Sequence, residues 1–161
     1  MIHGHGGDIY TLARLLACDP FAIADMSSNV NPLGPPPELL RHLETNLDRI
    51  KALPEADASR MLRQFADVYG IAPDQVLAGN GTTQIIYDLP RALKMRQALI
   101  VGPTYADYAD GCRLNGVACR LVQTLETNAF RFDPDALREQ IQTVDAVYLC
   151  NPNNPTGQRV S

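Results

Sequence analysis

The sequence predicts an α/β fold, a mostly parallel sheet covered by helices, and three observations carry that prediction. Short apolar runs of strand length alternate with amphipathic helical stretches. Each run ends in a turn rich in Gly, Pro or Asn, and the connections are short, as βαβ units require. The clearest case is Asp145-Ala-Val-Tyr-Leu-Cys150, which leads straight into Asn151-Pro-Asn-Asn-Pro-Thr-Gly157. A strand cannot continue through Pro152 and Pro155, so the backbone leaves the sheet and presents asparagine amides at the strand's carboxyl end. In open α/β sheets ligands bind at that end.

The 161 residues are 45% hydrophobic and 20% charged, enough for one core. The net charge of −4 is scattered, with no basic run, so no nucleic acid or anionic membrane is expected as a partner. No segment nears the roughly 20 apolar residues of a membrane span, and the N-terminus lacks the regions of a signal peptide; a cytoplasmic protein is expected. Cys18, Cys112, Cys119 and Cys150 are widely spaced, without a C-x-x-C pair or a histidine at zinc-ligand spacing. They read as reduced, mostly buried small hydrophobes. His3-Gly-His-Gly-Gly7 offers too few ligands for a metal, and no metal site is expected.

Taken in order, Asp8 caps a helix whose apolar positions are Ile9, Leu12, Leu15 and Leu16, until Cys18-Asp19-Pro20 stops it. Residues 21–25 read as extended. The stretch from Ser27 to Pro37 is a turn region too polar to be core. Pro36 and Pro37 suit a helix's first turn, and Leu39, Leu40, Leu43, Leu47 and Ile50 mark one face of a helix to about Lys51. Residues 54–58 break the pattern; Leu62, Phe65, Ala66 and Tyr69 restore it, and Gly70 is a C-terminal cap.

Gly79-Asn-Gly-Thr-Thr-Gln84 then precedes a helix over 85–93 that Pro90 interrupts. Glycines before a helix let N–H groups converge on an anion, and the helix end adds favourable partial charge. The stretch is a phosphate cradle, matching neither G-x-x-x-x-G-K-[ST] nor the dinucleotide G-x-G-x-x-G. Residues 97–101 form a strand, Gly102-Pro-Thr-Tyr105 a turn and 106–114 a helix. Residues 118–125 are the next strand, 134–142 a helix and 144–150 the strand before the Asn-Pro turns.

The Asn-Pro-Asn-Asn-Pro-Thr-Gly turn, the Gly79–Gln84 loop and Pro103-Thr104-Tyr105 together resemble the motifs of the fold-type I pyridoxal-phosphate (PLP) enzymes, the aminotransferase-like superfamily. The resemblance implies PLP as cofactor, with Gly81, Thr82 and Thr83 at its phosphate and Tyr105 stacked on its ring. Asn154 would bond the ring's 3′ oxygen and lie near the substrate carboxylate. The His-Gly-Gly opening and Ser27-Ser-Asn-Val-Asn-Pro-Leu-Gly34 look like the threonine-phosphate decarboxylase branch, enzymes of cobalamin biosynthesis, rather than the histidinol-phosphate aminotransferase branch. Carried over, His5 and Asn29 would sit at the substrate's phosphate. At Leu53-Pro54 the superfamily usually has Tyr-Pro, the tyrosine reaching the neighbouring subunit's cofactor phosphate; leucine has no such donor, so that contact is absent or replaced.

The family also needs a Schiff-base lysine and an aspartate at the pyridinium nitrogen. Only Lys51 and Lys94 occur, neither in the family's context, so both groups are expected beyond Ser161. The resemblance thus implies the N-terminal part of a longer, homodimeric enzyme for a small phosphorylated amino acid. Residues 1–54 would be an N-terminal arm and part of a small domain, and 55–161 the first part of the large PLP-binding domain. Two rivals are an aminotransferase-like sensor module of a transcription regulator, which would follow a basic helix-turn-helix domain, and a non-catalytic phosphate-binding domain complete at 161 residues.

Overall fold

The computed structural model describes residues 7–28 and 30–160, in two compact units that divide between Ala78 and Gly79. The first is helical: α1 (Ile9–Leu16), α2 (Pro37–Thr45) and α3 (Ser59–Tyr69). Asp8 caps α1 by accepting the Thr11 N–H at 3.0 Å, and Gly70 ends α3 at φ +65°, as the sequence implies.

Two expectations for this unit are corrected. Residues 20–22 form a 3₁₀ turn rather than an extended segment, because the Asp19 carboxylate accepts the Phe21 N–H at 2.8 Å. The helix expected to reach Lys51 ends at Thr45; the Asn46 amide turns back to donate to His42 O at 2.8 Å, and 3₁₀ geometry follows over Leu47–Lys51.

The second unit holds α4 (Gly81–Ala92), β1 (Gln97–Gly102), α5 (Asp107–Leu114), β2 (Ala118–Gln123), α6 (Pro134–Ile141) and β3 (Ala146–Tyr148). The three strands are parallel in the order β2-β1-β3, with Gln97 opposite Ala118 and Ala98 opposite Ala146. Central β1 is buried from Ala98 to Gly102, as expected for a continuous apolar run. Ala98, Cys112 and Val117 form the core, with Met95 and Tyr148 packed against it. The Asp145 carboxylate joins β3 to β1 by accepting the N–H groups of Arg96 and Gln97 at 2.7 and 2.9 Å.

α4 begins at Gly81, a turn earlier than the spacing predicts, and runs through Pro90. Proline removes the N–H that would bond Ile86 O. α5 closes on that place: a Cβ at Gly111 would lie 3.1 Å from Ile86 O, and Asn115 Nδ2 donates to Tyr87 O at 2.9 Å. The interruption is absorbed where a neighbouring helix approaches too closely for any side chain but hydrogen.

All four cysteines are free, but Cys18 and Cys119 are exposed, against the expectation of burial. Cys18 follows the left-handed turn that ends α1, and Cys119 lies on edge strand β2, whose side chains are almost all exposed.

Candidate functional site

The connection from β1 goes to β2 on one side, and the chain then crosses to β3 on the other. That reversal makes the carboxyl ends of β1 and β3 a switch point, where the diverging loops leave a crevice. The Pro103-Thr104-Tyr105 turn leaves β1 there, and the Asn151–Gly157 turn leaves β3. α4 runs back into the amino end of β1, so its own N-terminus, with Gly81, comes to the same edge. Peptide bonds 102–103, 151–152 and 154–155 in these loops are cis.

Two hydrogen bonds of Asn153 join the β1 and β3 loops, and a third braces its own loop. Its Nδ2 donates to Pro103 O at 2.9 Å and to Thr156 Oγ1 at 2.8 Å, and its Oδ1 accepts the Thr104 hydroxyl at 2.7 Å. Thr124, buried after β2, completes the frame by donating to Gly102 O through Oγ1 at 2.9 Å. Asn154, the next residue, is exposed, and among the described residues its carboxamide has no hydrogen-bond partner. Geometry therefore divides the two asparagines: one builds the loop, and the other is left outward beside it.

On the opposite side of Tyr105, Thr83 Oγ1 lies 3.4 Å from the Tyr105 hydroxyl. Thr83 donates to Asp107 Oδ2 at 3.2 Å, and the Tyr87 hydroxyl donates to Asp107 Oδ1 at 3.4 Å. Asp107 is 1% exposed. The Tyr105 hydroxyl is pulled down by Thr83 but pushed up by Asp107 and by burial, for a net rise. Burial, with Asp107 next, also raises Tyr87. Tyr108 stacks on Tyr148 with centroids 5.0 Å apart, and burial followed by the Cys150 thiol pushes it up to about 12. These hydroxyls stay protonated at neutral pH.

In the α4 first turn Gly81 adopts φ +80°, with its N–H on Gly79 O at 2.8 Å, while Gln84 Oε1 accepts the Asn80 N–H at 2.7 Å. The N–H groups of Thr82 and Thr83 have no acceptor among the described residues, as helix geometry dictates for a first turn. With the macrodipole and the exposed Thr82 hydroxyl, this donor set fits a phosphate, and the space beside Gly81 is open.

Of the residues singled out from sequence, Gly81, Thr82, Thr83 and Tyr105 lie together, and Asn154 adjoins Asn153. His5 and Asn29 fall outside the described residues. Lys94 lies just after α4, at φ +51°, at the far end of a 12-residue helix from Gly81, roughly 18 Å away. Lys51 is exposed and paired with Asp48. Sequence reasoning missed Asn153 and Asp107. The repeated Asn of Asn-Pro-Asn-Asn-Pro, and an acid two residues after a site tyrosine, were the signals present.

The fold and the three loops define an α/β unit with an anion cradle at a switch point. The chain belongs to the aminotransferase class I and II family, which matches residues 22–161. It is 35% identical over 153 residues to threonine-phosphate decarboxylase of Salmonella typhimurium, covering 95% of this chain and 42% of that protein. It is 31% identical over 158 residues to histidinol-phosphate aminotransferase of Natronomonas pharaonis, covering 97% of this chain and 44% of that protein. Among solved structures, L-threonine-O-3-phosphate decarboxylase from Porphyromonas gingivalis superposes with a TM-score of 0.67 at 28% identity, over 77% of this chain and 36% of that one. The chain thus spans less than half the length of these relatives and has the fold of part of a fold-type I enzyme. The cofactor of this family is pyridoxal 5′-phosphate.

Proposed function

We propose that the protein carrying this chain decarboxylates L-threonine O-3-phosphate to aminopropanol phosphate, using PLP, and that this chain supplies the phosphate, ring-face and 3′-oxygen contacts of the site. The N–H groups of Thr82 and Thr83 hold the cofactor phosphate in the α4 first turn. Tyr105 covers one face of the ring, and the Asn154 carboxamide bonds its 3′ oxygen. Bound there, PLP supplies an electron sink for the pair left when a bond at the substrate's α-carbon breaks. Lys94 is too far from the cradle to serve, so the Schiff-base lysine and the pyridinium aspartate come from residues after Ser161. The whole protein acts as a homodimer in the cytoplasm.

One observation carries the choice of substrate. The Gly7 N–H donates to Ser27 Oγ at 2.8 Å, and Asp25 accepts both the Ser27 and Ser28 hydroxyls, at 2.6 and 2.7 Å. These bonds tie Gly7, two residues after His5, to Ser27, two residues before Asn29, across 20 positions of sequence. The serine hydroxyls and the Ser27 N–H hold the Asp25 carboxyl below its usual range, so it stays an acceptor near neutral pH. The described ends of the arm and of the Ser-rich turn are thus joined, and this supports a role at the substrate phosphate for His5 and Asn29, which lie outside the described residues. Decarboxylation requires the bond from the α-carbon to the carboxylate to be the one held for cleavage; carbon dioxide leaves, and a proton replaces it.

Amino transfer to or from histidinol phosphate is the second reading, because the three site loops serve it equally well. Supplying L-threonine O-3-phosphate, and separately histidinol phosphate with 2-oxoglutarate, separates the two. Carbon dioxide without glutamate supports decarboxylation; glutamate without carbon dioxide overturns it.

A further inference from the structure

We propose that Asp107 is a positioning residue for the cofactor site: its buried carboxylate holds the Thr83 hydroxyl and, both through it and by its own interaction with the Tyr105 hydroxyl, keeps the Tyr105 ring in place. The inference rests on the PLP reading above. A carboxylate taken out of water must be matched by donors, and a residue 1% exposed in the first turn of α5 is held there for a reason. Its two oxygens divide the work. Oδ2 takes Thr83 and Oδ1 takes Tyr87. Thr83 and Tyr87 are four residues apart on one face of α4, so a single carboxylate spans two successive turns and fixes that helix's rotation against α5. Tyr105 stands two residues before Asp107, with its hydroxyl 3.4 Å from Thr83 Oγ1.

The direction of the protons matters. Thr83 has one hydroxyl proton and gives it to Asp107, so its oxygen is an acceptor toward Tyr105 and has nothing to donate to a phosphate. Phosphate binding then falls to the Thr82 and Thr83 N–H groups and the Thr82 hydroxyl. The Thr83 side chain serves as a strut between the cradle and the ring-stacking tyrosine. Asparagine at 107 preserves the strut, because a hydroxyl can accept from Nδ2 as well as donate to Oδ1; leucine abolishes it.

The test uses the whole protein carrying this chain, as wild type, Asp107→Asn and Asp107→Leu. Three quantities are read: the PLP dissociation constant, the induced visible circular dichroism of bound PLP, which reports ring orientation, and the thermal midpoint without PLP. Asp107→Leu should weaken PLP binding about tenfold and change the induced dichroism, while Asp107→Asn stays within about threefold of wild type. Unchanged affinity and dichroism in Asp107→Leu overturn the assignment. So does equal damage in both variants that follows the thermal midpoint alone. If Asp107→Leu does not fold, the cycle of Asp107→Ala with Thr83→Val decides: non-additive losses of affinity support the strut, and additive losses overturn it. A wild-type protein that binds no PLP sinks the cofactor reading and this assignment together. Wild-type binding with an indifferent Asp107→Leu sinks this assignment alone.

Discussion

Asn153 Oδ1 accepts the Thr104 hydroxyl at 2.7 Å, across 49 positions of sequence, and so fastens the loop after β3 to the loop after β1. Replacing Asn153 with alanine removes three half-buried hydrogen bonds at once. The expected loss of stability is about 2 kcal/mol, read as a lower urea midpoint at constant slope. PLP affinity should fall with it, because the loop carrying Asn154 loses its frame.

Asn154→Ala should behave in the opposite way. Its carboxamide is exposed and has no partner among the described residues, so stability should stay within about 0.5 kcal/mol of wild type. The visible absorption of bound PLP should shift and its affinity drop. An unchanged absorption spectrum with unchanged turnover would remove Asn154 from the site.

Gly81→Ala tests the cradle by conformation rather than by crowding. A Cβ there meets nothing within 4 Å, but φ +80° is left-handed backbone, which costs an alanine about 1 kcal/mol. The first turn should relax and phosphate-dependent PLP binding weaken, measured against pyridoxal lacking the phosphate. Equal affinity of the variant and wild type for PLP would place the phosphate elsewhere.

Gly111→Ala probes the helix pair beneath. Its Cβ would press on Ile86 O at 3.1 Å and Tyr87 Cα at 3.4 Å, both backbone atoms that cannot swing aside. A destabilisation of about 1–3 kcal/mol is expected, visible in chemical unfolding.

Asp145 sets an acid limit. The N–H groups of Gln97 and then Arg96 lower its carboxyl below the ordinary 3.8. A group lowered in the folded state contributes stability at pH above the unfolded value and loses it as pH falls through the folded value. The contribution is therefore intact above 3.8 and fades below it. Asp145→Asn should flatten the acid side of the stability profile and leave its slope near neutrality unchanged; an identical acid slope in both proteins would contradict this role.

Much of this was legible in the chain, and the reasons differ by element. β1 announced itself because a strand buried on both sides must be continuously apolar, and residues 98–101 are. The site loops were legible because Pro103, Pro152 and Pro155 restrict the backbone wherever they occur, and Gly81 permits the left-handed conformation found there. The break of α2 at Asn46 was not, because Leu47 and Ile50 keep the helical spacing while one side-chain amide diverts the backbone. Nor did spacing reveal Asp107 or Asn153. Their partners lie 24 and 49 positions away, a relation fixed only when the sheet assembles.

The central claim is that these loops form one side of a PLP site, and a crystal structure of the whole protein with PLP tests it most directly. The account predicts the cofactor phosphate within about 3.5 Å of the Thr82 and Thr83 N–H groups, the ring against Tyr105 and the 3′ oxygen on Asn154. PLP bound elsewhere, with water in the α4 first turn, would contradict it.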